Sequence, residues 1–177
     1  MKLEKITLHH LRMPLVSHFE TSFGRIFDRD SILITIYAEG LIGYGECAAD
    51  RDPGYAYETS GTAWHILSDF IIPAVQGQDI ETPADLRALM KSIKGHEMAK
   101  AGVEMALWDL LGKKENKSLQ TLLGGITHTG TGKPKVDVGV SVGLQDTPDD
   151  LLCAVEGYLA LGYGRVKLKI KPGRDIG

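Results

Sequence analysis

Two lysines separated by a single residue are the side chains of this sequence best suited to chemistry. Lys167 and Lys169 lie in segment 164–173, where charged residues alternate with aliphatic ones. Alternation with a period of two is typical of a β-strand and puts both lysines on one face. An ammonium group removed from water loses its proton more readily, so a lysine in an apolar site can act as a base near neutral pH. The spacing therefore predicts a lysine pair suited to proton transfer.

The preceding segments decide what kind of strand carries these lysines. Residues 136–142 have the pattern of an apolar strand, and a helix that begins with the capping sequence 147–150 runs to Gly162. The lysine strand then completes a βαβ unit, and parallel strands are normally buried on both faces. An edge strand with a solvated lysine face fits the same local pattern. Lys171 shares the lysine face, but Pro172 follows it, and we expect Lys171 to be solvated.

The composition is that of an ordinary globular protein. The 177 residues are 43% hydrophobic and 24% charged, with a net charge of −3, which allows one or two domains with a core. We find no long basic block, no run of about 18 apolar residues and no signal-peptide pattern. Cys47 and Cys153 match neither a disulfide framework nor a zinc pattern. The composition predicts a cytoplasmic protein with two free thiols and no nucleic-acid or membrane partner.

The first part of the chain predicts an antiparallel sheet. Residues 2–13 have the pattern of a strand, and Pro14 either ends it or marks a sheet edge. Residues 17–29 are predicted to form a long loop. Residues 31–47 are predicted to form a β-hairpin that turns at 38–40.

A helical pattern follows this sheet. Helices are predicted over 57–76, from an N-terminal cap at Thr82, over 96–115, and from a cap at Ser118. Residues 126–134 are rich in Thr and Gly and are predicted to form a linker.

Small residues mark places where two backbones can approach each other. Gly43 and Gly45 weaken the second hairpin strand and indicate either a close backbone approach or a bulge. Ala99, Gly102 and Ala106 allow close packing of the helix predicted over 96–115.

These elements predict an α+β capping domain, an antiparallel sheet plus helices, over residues 1–125. After the linker, residues 135–177 predict the first βαβ unit of a truncated (β/α) barrel. One βαβ unit buries too little apolar surface to be stable alone. We therefore expect the barrel domain to be incomplete in this chain.

Aromatic residues on the predicted loops have two interpretations. Phe19, Phe23 and Phe27 lie in the first loop, and Tyr55 lies near the end of a second polar loop. Such side chains either fill a core or contact a ligand, and the local pattern fits both.

Five collinear segments resemble the enolase superfamily, in particular its o-succinylbenzoate synthase / N-acylamino acid racemase branch, which is related to muconate cycloisomerases and dipeptide epimerases. Segment 19–24 resembles the mobile first loop of the superfamily, and 43–48 resembles the hairpin strand before the second loop. Segment 98–109 resembles the long helix of the capping domain. Segment 138–143 resembles the first barrel strand, and 167–169 resembles the Lys-x-Lys motif of the second barrel strand. The match spans almost the whole chain.

The resemblance implies a Mg²⁺-dependent enzyme that removes the proton α to a substrate carboxylate, with the metal stabilising the resulting enediolate. Lys169 matches the acid/base, and Lys167 matches the lysine that assists it electrostatically. The other positions that the resemblance assigns to the substrate are Ser141, Phe19, Phe23 and Tyr55.

The resemblance also places the metal ligands on the third to fifth barrel strands and an opposing lysine on the sixth, which we do not find in this chain. We therefore predict no metal site within these residues, and Mg²⁺ only in a full-length enzyme. Glu46, Glu104 and Asp109 match structural positions of the capping domain, so we do not expect them to bind the metal. The histidines lack the spacing of metal ligands; they are His9, His10, His96 and His128.

Two classes of function follow. The first is the N-terminal part of an o-succinylbenzoate synthase, a lyase of menaquinone biosynthesis, or of an N-acylamino acid racemase, an isomerase, with dipeptide epimerase or muconate cycloisomerase as alternatives. Its partners would be a small-molecule carboxylate and, at full length, further copies of the chain in a homo-oligomer. The second is a non-catalytic capping-domain binding module. The mostly apolar strand 136–142 has one charged residue, Asp137, and no proline, so its edge is weakly protected, which favours the first.

Overall fold

The computed structural model describes residues 1–124 and 136–173, so the predicted linker 126–134 lies outside the described residues. The chain divides into two compact units, each of which contains two segments. Unit 1 is Met1–Met13 with Arg29–Thr127, and unit 2 is Pro14–Asp28 with His128–Gly177.

The first sheet has three strands in the order β1-β2-β3. They are β1 (Lys5–Thr21), β2 (Gly24–Ala38) and β3 (Leu41–Cys47). β2 and β3 are antiparallel, and Ala38 is opposite Leu41. The turn is therefore Glu39-Gly40, with φ values of 51° and 77° that suit a two-residue hairpin loop. The predicted hairpin over 31–47 is confirmed.

The predicted loop over 17–29 is wrong. β1 continues through Pro14 to Thr21 and β2 begins at Gly24, so this region is a long hairpin that turns at Ser22-Phe23. Proline is tolerated because β1 is an edge strand, as the alternative interpretation of Pro14 predicted. Most residues from 14 to 27 are exposed, so this hairpin lacks the buried face whose alternation identifies a strand in a sequence.

The helices of unit 1 begin close to their predicted caps, and the caps at Thr82 and Ser118 are confirmed. The helix predicted over 57–76 starts later, after its cap at Thr59, and a π-helical turn over Leu67–Ile71 interrupts it. In residues 1–124 and 136–173, no helix has the length and apolar character that a membrane span needs. The helices of unit 1 are α1 (Ser60–Ile66), α2 (Ile72–Val75), α3 (Pro83–Leu89), α4 (Glu97–Glu115) and α5 (Leu119–Leu122).

Helix α4 packs directly on the backbone of β3. A Cβ atom on Gly45 would collide with the carbonyl oxygen of Gly102 and the amide nitrogen of Ala106, and one on Gly43 would collide with the carbonyl oxygen of Ala106. The β2–β3 register is uninterrupted. The glycines therefore provide close approach, and the alternative of a bulge is wrong. The fully buried apolar side chains of β2 and α4 in this core are Ile32, Ile34, Ile36, Ala38, Ala99, Val103, Ala106, Leu107 and Leu110.

Unit 2 contains a parallel strand pair, β4 (Gly139–Val142) and β5 (Arg165–Leu168), with α6 (Pro148–Ala160) between them in sequence. The predicted cap of α6 is confirmed, because Thr147 Oγ1 accepts a hydrogen bond from the amide of Asp150 at 3.1 Å. Both strands are shorter than predicted.

Replacing Gly45 with alanine should destabilise unit 1 by about 1–3 kcal/mol, because the added methyl group meets the backbone of α4, which cannot rotate away. Gly54→Ala is the matched control, since a Cβ atom there meets nothing within 4 Å. Urea unfolding of both variants measures the difference. Equal midpoints would contradict the close packing of α4 on β3.

The two cysteines should differ in reactivity. Cys47 is buried in unit 1, and burial raises the pKa of its thiol, whereas Cys153 is exposed. Because the thiolate is the reactive form, Cys47 should react with a thiol reagent only after unfolding. Quantitative labelling of the native protein, with Cys153→Ser as the control, measures this. Rapid native labelling of that variant would contradict the burial of Cys47.

Candidate active site

The parallel register of β4 and β5 brings the predicted site residues of unit 2 onto one face. Ser141 pairs with Lys167, and paired residues of neighbouring strands point to the same side. The amide of Lys169 donates to the carbonyl oxygen of Val142 at 3.1 Å, so pairing continues one residue beyond β5. Lys169 is two residues after Lys167 and shares its face. Ser141, Lys167 and Lys169 therefore line a common surface, and the alternation predicted this for the two lysines.

The two faces of this strand pair differ in chemistry more than in burial. On the apolar face, Val142 is 3% exposed but Leu168 is 44% exposed. On the other face, Lys167 is exposed and Lys169 is half-buried. Helix α6 packs against both strands. The lysine face thus presents polar groups rather than core-forming side chains. The residues of the opposite face are Val140, Val142, Val166 and Leu168.

The tip of the first hairpin contacts this lysine face within unit 2. The Nζ atom of Lys169 lies 5.9 Å from the centroid of the Phe19 ring, within the range of a cation–π interaction. The amide of Leu144 donates to the carbonyl oxygen of Glu20 at 3.1 Å. A Cβ atom on Gly143 would lie 3.1 Å from that oxygen, so the missing side chain allows the hairpin backbone to approach.

The other aromatic candidates are exposed. Phe23 lies in the hairpin turn of unit 2 and is 78% exposed, and Tyr55 lies in unit 1 and is 82% exposed. Phe27 is also exposed, beside the ring of His18. The core interpretation is therefore wrong for these three residues. Phe19 is half-buried and is the aromatic residue that contacts a predicted catalytic lysine.

The acidic residues that were not expected to bind a metal form hydrogen bonds with other residues of the chain. Within residues 1–124 and 136–173, no group of three or more His, Cys, Asp or Glu residues is arranged to hold a metal ion. His128 lies outside the described residues. The described residues alone do not fit a Mg²⁺ site. The structural contacts are those of Glu46 with Ser31 Oγ at 2.7 Å, Glu104 with Arg87 at 2.9 Å, and Asp109 with the amide of Tyr44 at 2.9 Å.

The residues that attach the hairpin tip to the end of β4 were not among those predicted from the sequence. Arg25 Nε donates to Glu20 Oε2 at 2.7 Å, and Arg25 Nη2 lies 3.6 Å from Asp146 Oδ1. Gly143 gave the one usable signal, because a glycine beside a strand often marks a close backbone approach. Nothing in the local pattern relates Arg25 to Asp146, since the two are far apart along the chain.

Residues 4–124 match the family described as Mandelate racemase / muconate lactonizing enzyme, N-terminal domain. The chain belongs to this family. Through it the chain belongs to the enolase superfamily, so the resemblance drawn from the five segments and the predicted fold class are confirmed.

The similar proteins include enzymes and a solved structure. An o-succinylbenzoate synthase of Geobacillus kaustophilus is 40% identical over 177 residues, and an N-succinylamino acid racemase of Thermus thermophilus is 41% identical over 175. Each alignment covers 99% of this chain and 46% of the relative. A Listeria innocua member of the enolase superfamily superimposes with a TM-score of 0.87 at 39% identity, over 99% of this chain and 46% of that one. The chain thus spans about half the length of the curated relatives it matches.

Replacing Gly143 with alanine should loosen the hairpin tip, because the added methyl group presses on the backbone of Glu20. We expect faster hydrogen exchange at the amide of Leu144, which donates to Glu20. Gly157→Ala is the control in the same unit, since a Cβ atom there meets nothing within 4 Å. Unchanged exchange at Leu144 in Gly143→Ala would contradict the contact between the hairpin tip and the end of β4.

Proposed function

We propose that this chain supplies the lysine pair and the covering hairpin of an enzyme that abstracts a proton α to a carboxylate, either an o-succinylbenzoate synthase or an N-acylamino acid racemase. The observation that carries the proposal is the common face of Ser141, Lys167 and Lys169, with the Phe19 ring 5.9 Å from Lys169 Nζ. The identities of about 40% with enzymes of both activities support it.

The proposed base is Lys169. Its neutral amine would take the α-proton of the substrate and become an ammonium ion, while the electron pair of the broken C–H bond moves toward the carboxylate. Lys167 shares the strand face, and its positive charge would stabilise the negative charge that develops on the substrate. The half-buried Phe19 would shield the reacting groups from water, which strengthens these electrostatic interactions.

The two candidate reactions place different demands on the lysines. In a syn dehydration, the ammonium ion formed on Lys169 can protonate the hydroxyl group that leaves from the same face. Racemisation needs a second acid/base on the opposite face of the α-carbon, which the superfamily resemblance assigns to a later barrel strand. Lys169 serves both reactions as the base on its own face.

Mg²⁺ is the proposed cofactor of the complete enzyme because the superfamily resemblance implies it, and its role would be to hold the substrate carboxylate. The described residues lack a donor set for it. The roles proposed for Lys167, Lys169 and Phe19 are performed by the side chains of these three residues, without contact to the metal.

The remaining assignments are also proposals. Ser141 and Phe23 would contact the substrate from the strand and from the hairpin turn, and Tyr55 from the second loop. A small carboxylate is the proposed partner, with further copies of the protein in a homo-oligomer, and the proposed location is the cytoplasm.

The division into a capping domain over 1–125 and a barrel segment over 135–177 remains a prediction. The half-buried lysine beside Phe19 favours an enzyme over a non-catalytic binding module.

Lys169→Ala in the natural gene product should lower deuterium exchange at the α-carbon of an N-succinylamino acid by roughly 10²–10⁴-fold, the usual contribution of a general base. Lys171→Ala is the matched control, because Lys171 lies nearby but follows the strand pair. Circular dichroism of both variants checks the fold. Exchange retained by Lys169→Ala would remove this residue from the role of base.

A further inference from the structure

The guanidinium group of Arg25 lies between two carboxylates of unit 2. Its Nε donates to Glu20 Oε2 at 2.7 Å, within the hairpin tip, and its Nη2 lies 2.5 Å from the same oxygen and 3.6 Å from Asp146 Oδ1. Asp146 directly precedes Thr147, the cap of α6, and therefore belongs to the loop that follows β4. Arg25 thus joins the hairpin to the strand pair through charge.

Glu20 connects this charge contact to the candidate site. Its side chain is 16% exposed and pairs with Arg25, while its carbonyl oxygen accepts the hydrogen bond from the amide of Leu144 at 3.1 Å. The preceding residue, Phe19, places its ring beside Lys169 Nζ. Because the two residues are adjacent, a shift of the Glu20 backbone would also move the Phe19 ring relative to the lysine.

We propose that Arg25 is a positioning residue, which holds Glu20 against the loop after β4 and so keeps Phe19 over Lys169. This rests on the proposed function in one respect, the role of Lys169 as base. A guanidinium group is suited to the task because its planar fork of donors can engage two carboxylates, whereas an ammonium group is a compact point charge.

The size of the expected effect follows from exposure. Asp146 is largely exposed and Arg25 is partly exposed, and ion pairs of exposed side chains contribute little and are weakened by salt. Glu20 is better shielded and is the stronger partner of Arg25 within the hairpin, whereas the contact with Asp146 is the one that reaches the loop after β4. Removing Arg25 should therefore shift the docking of the hairpin tip several-fold, rather than abolish it.

Direct binding of the substrate is the competing role for this arginine, since the succinyl group of an N-succinylamino acid carries a second carboxylate. The structure favours positioning, because protein carboxylates already engage both the Nε and the Nη2 atoms of Arg25. A substrate without the second carboxylate separates the two roles.

The first test is amide hydrogen exchange at Leu144 in the natural gene product, measured by NMR at low and high salt. Arg25→Ala should speed this exchange about two- to tenfold at low salt and less at high salt. Arg25→Lys should restore part of the protection. Arg29→Ala is the matched control, because Arg29 is also on β2 and is also ion-paired, with Asp50 at 2.9 Å, but it lies in unit 1.

The coupling of Arg25 to Asp146 is tested by a double-mutant cycle on the same amide. Because Asp146 is the contact of Arg25 in the loop after β4, Asp146→Asn should add less in the Arg25→Ala background than alone. Fully additive effects, or unchanged exchange at Leu144 in Arg25→Ala, would overturn the proposal.

Turnover distinguishes positioning from substrate contact. Positioning predicts that Arg25→Ala lowers kcat/KM by a similar factor for N-succinyl- and N-acetylamino acids. A loss confined to the N-succinyl substrate would mean that Arg25 binds the substrate, and would overturn the positioning role. An inactive unmodified protein would count against the proposed function instead, while the Leu144 amide would still test the contact.

Discussion

The parallel pairing of β4 with β5 is the constraint on which the candidate site depends. Its register sets Ser141 opposite Lys167 and lets the amide of Lys169 bond to Val142. Because side chains alternate along a strand, a slip of one residue would turn one strand over relative to the other, so that the lysines of β5 would share a face with Val142 instead of Ser141. The burial of Val142 opposes such a slip, so the same hydrophobic contact that stabilises the strand pair also orients the proposed base.

Strand β2, which forms part of the hairpin that covers this face, has two roles. The later part of β2 carries Ile32, Ile34 and Ile36 into the core of unit 1, where close packing of α4 on β3 completes the burial. The first residues of β2, with the end of β1, belong to unit 2 and place Phe19 beside Lys169. The hairpin side of the site consists mostly of exposed residues and is joined to the end of β4 by the hydrogen bond from the Leu144 amide to the Glu20 carbonyl oxygen.

The sequence predicted those features that depend on local chemistry. The caps at Thr82, Ser118 and Thr147, the hairpin over 31–47 and the alternating lysine strand need only a few neighbouring residues to be recognised. The extended hairpin through Pro14 was missed because its exposed strands lack a buried face. The contacts of Glu20 and Arg25 with the loop after β4 were missed because they join distant parts of the chain, and a single sequence carries no local pattern for such a pair.

The most direct test of this account is deuterium exchange at the α-carbon of an N-succinylamino acid by the natural gene product with Mg²⁺, together with the intact mass of that product. The account predicts exchange, catalysed by a protein of about twice the 19.3 kDa of this chain, since the relatives are about twice its length. A product of 19.3 kDa without exchange would contradict it.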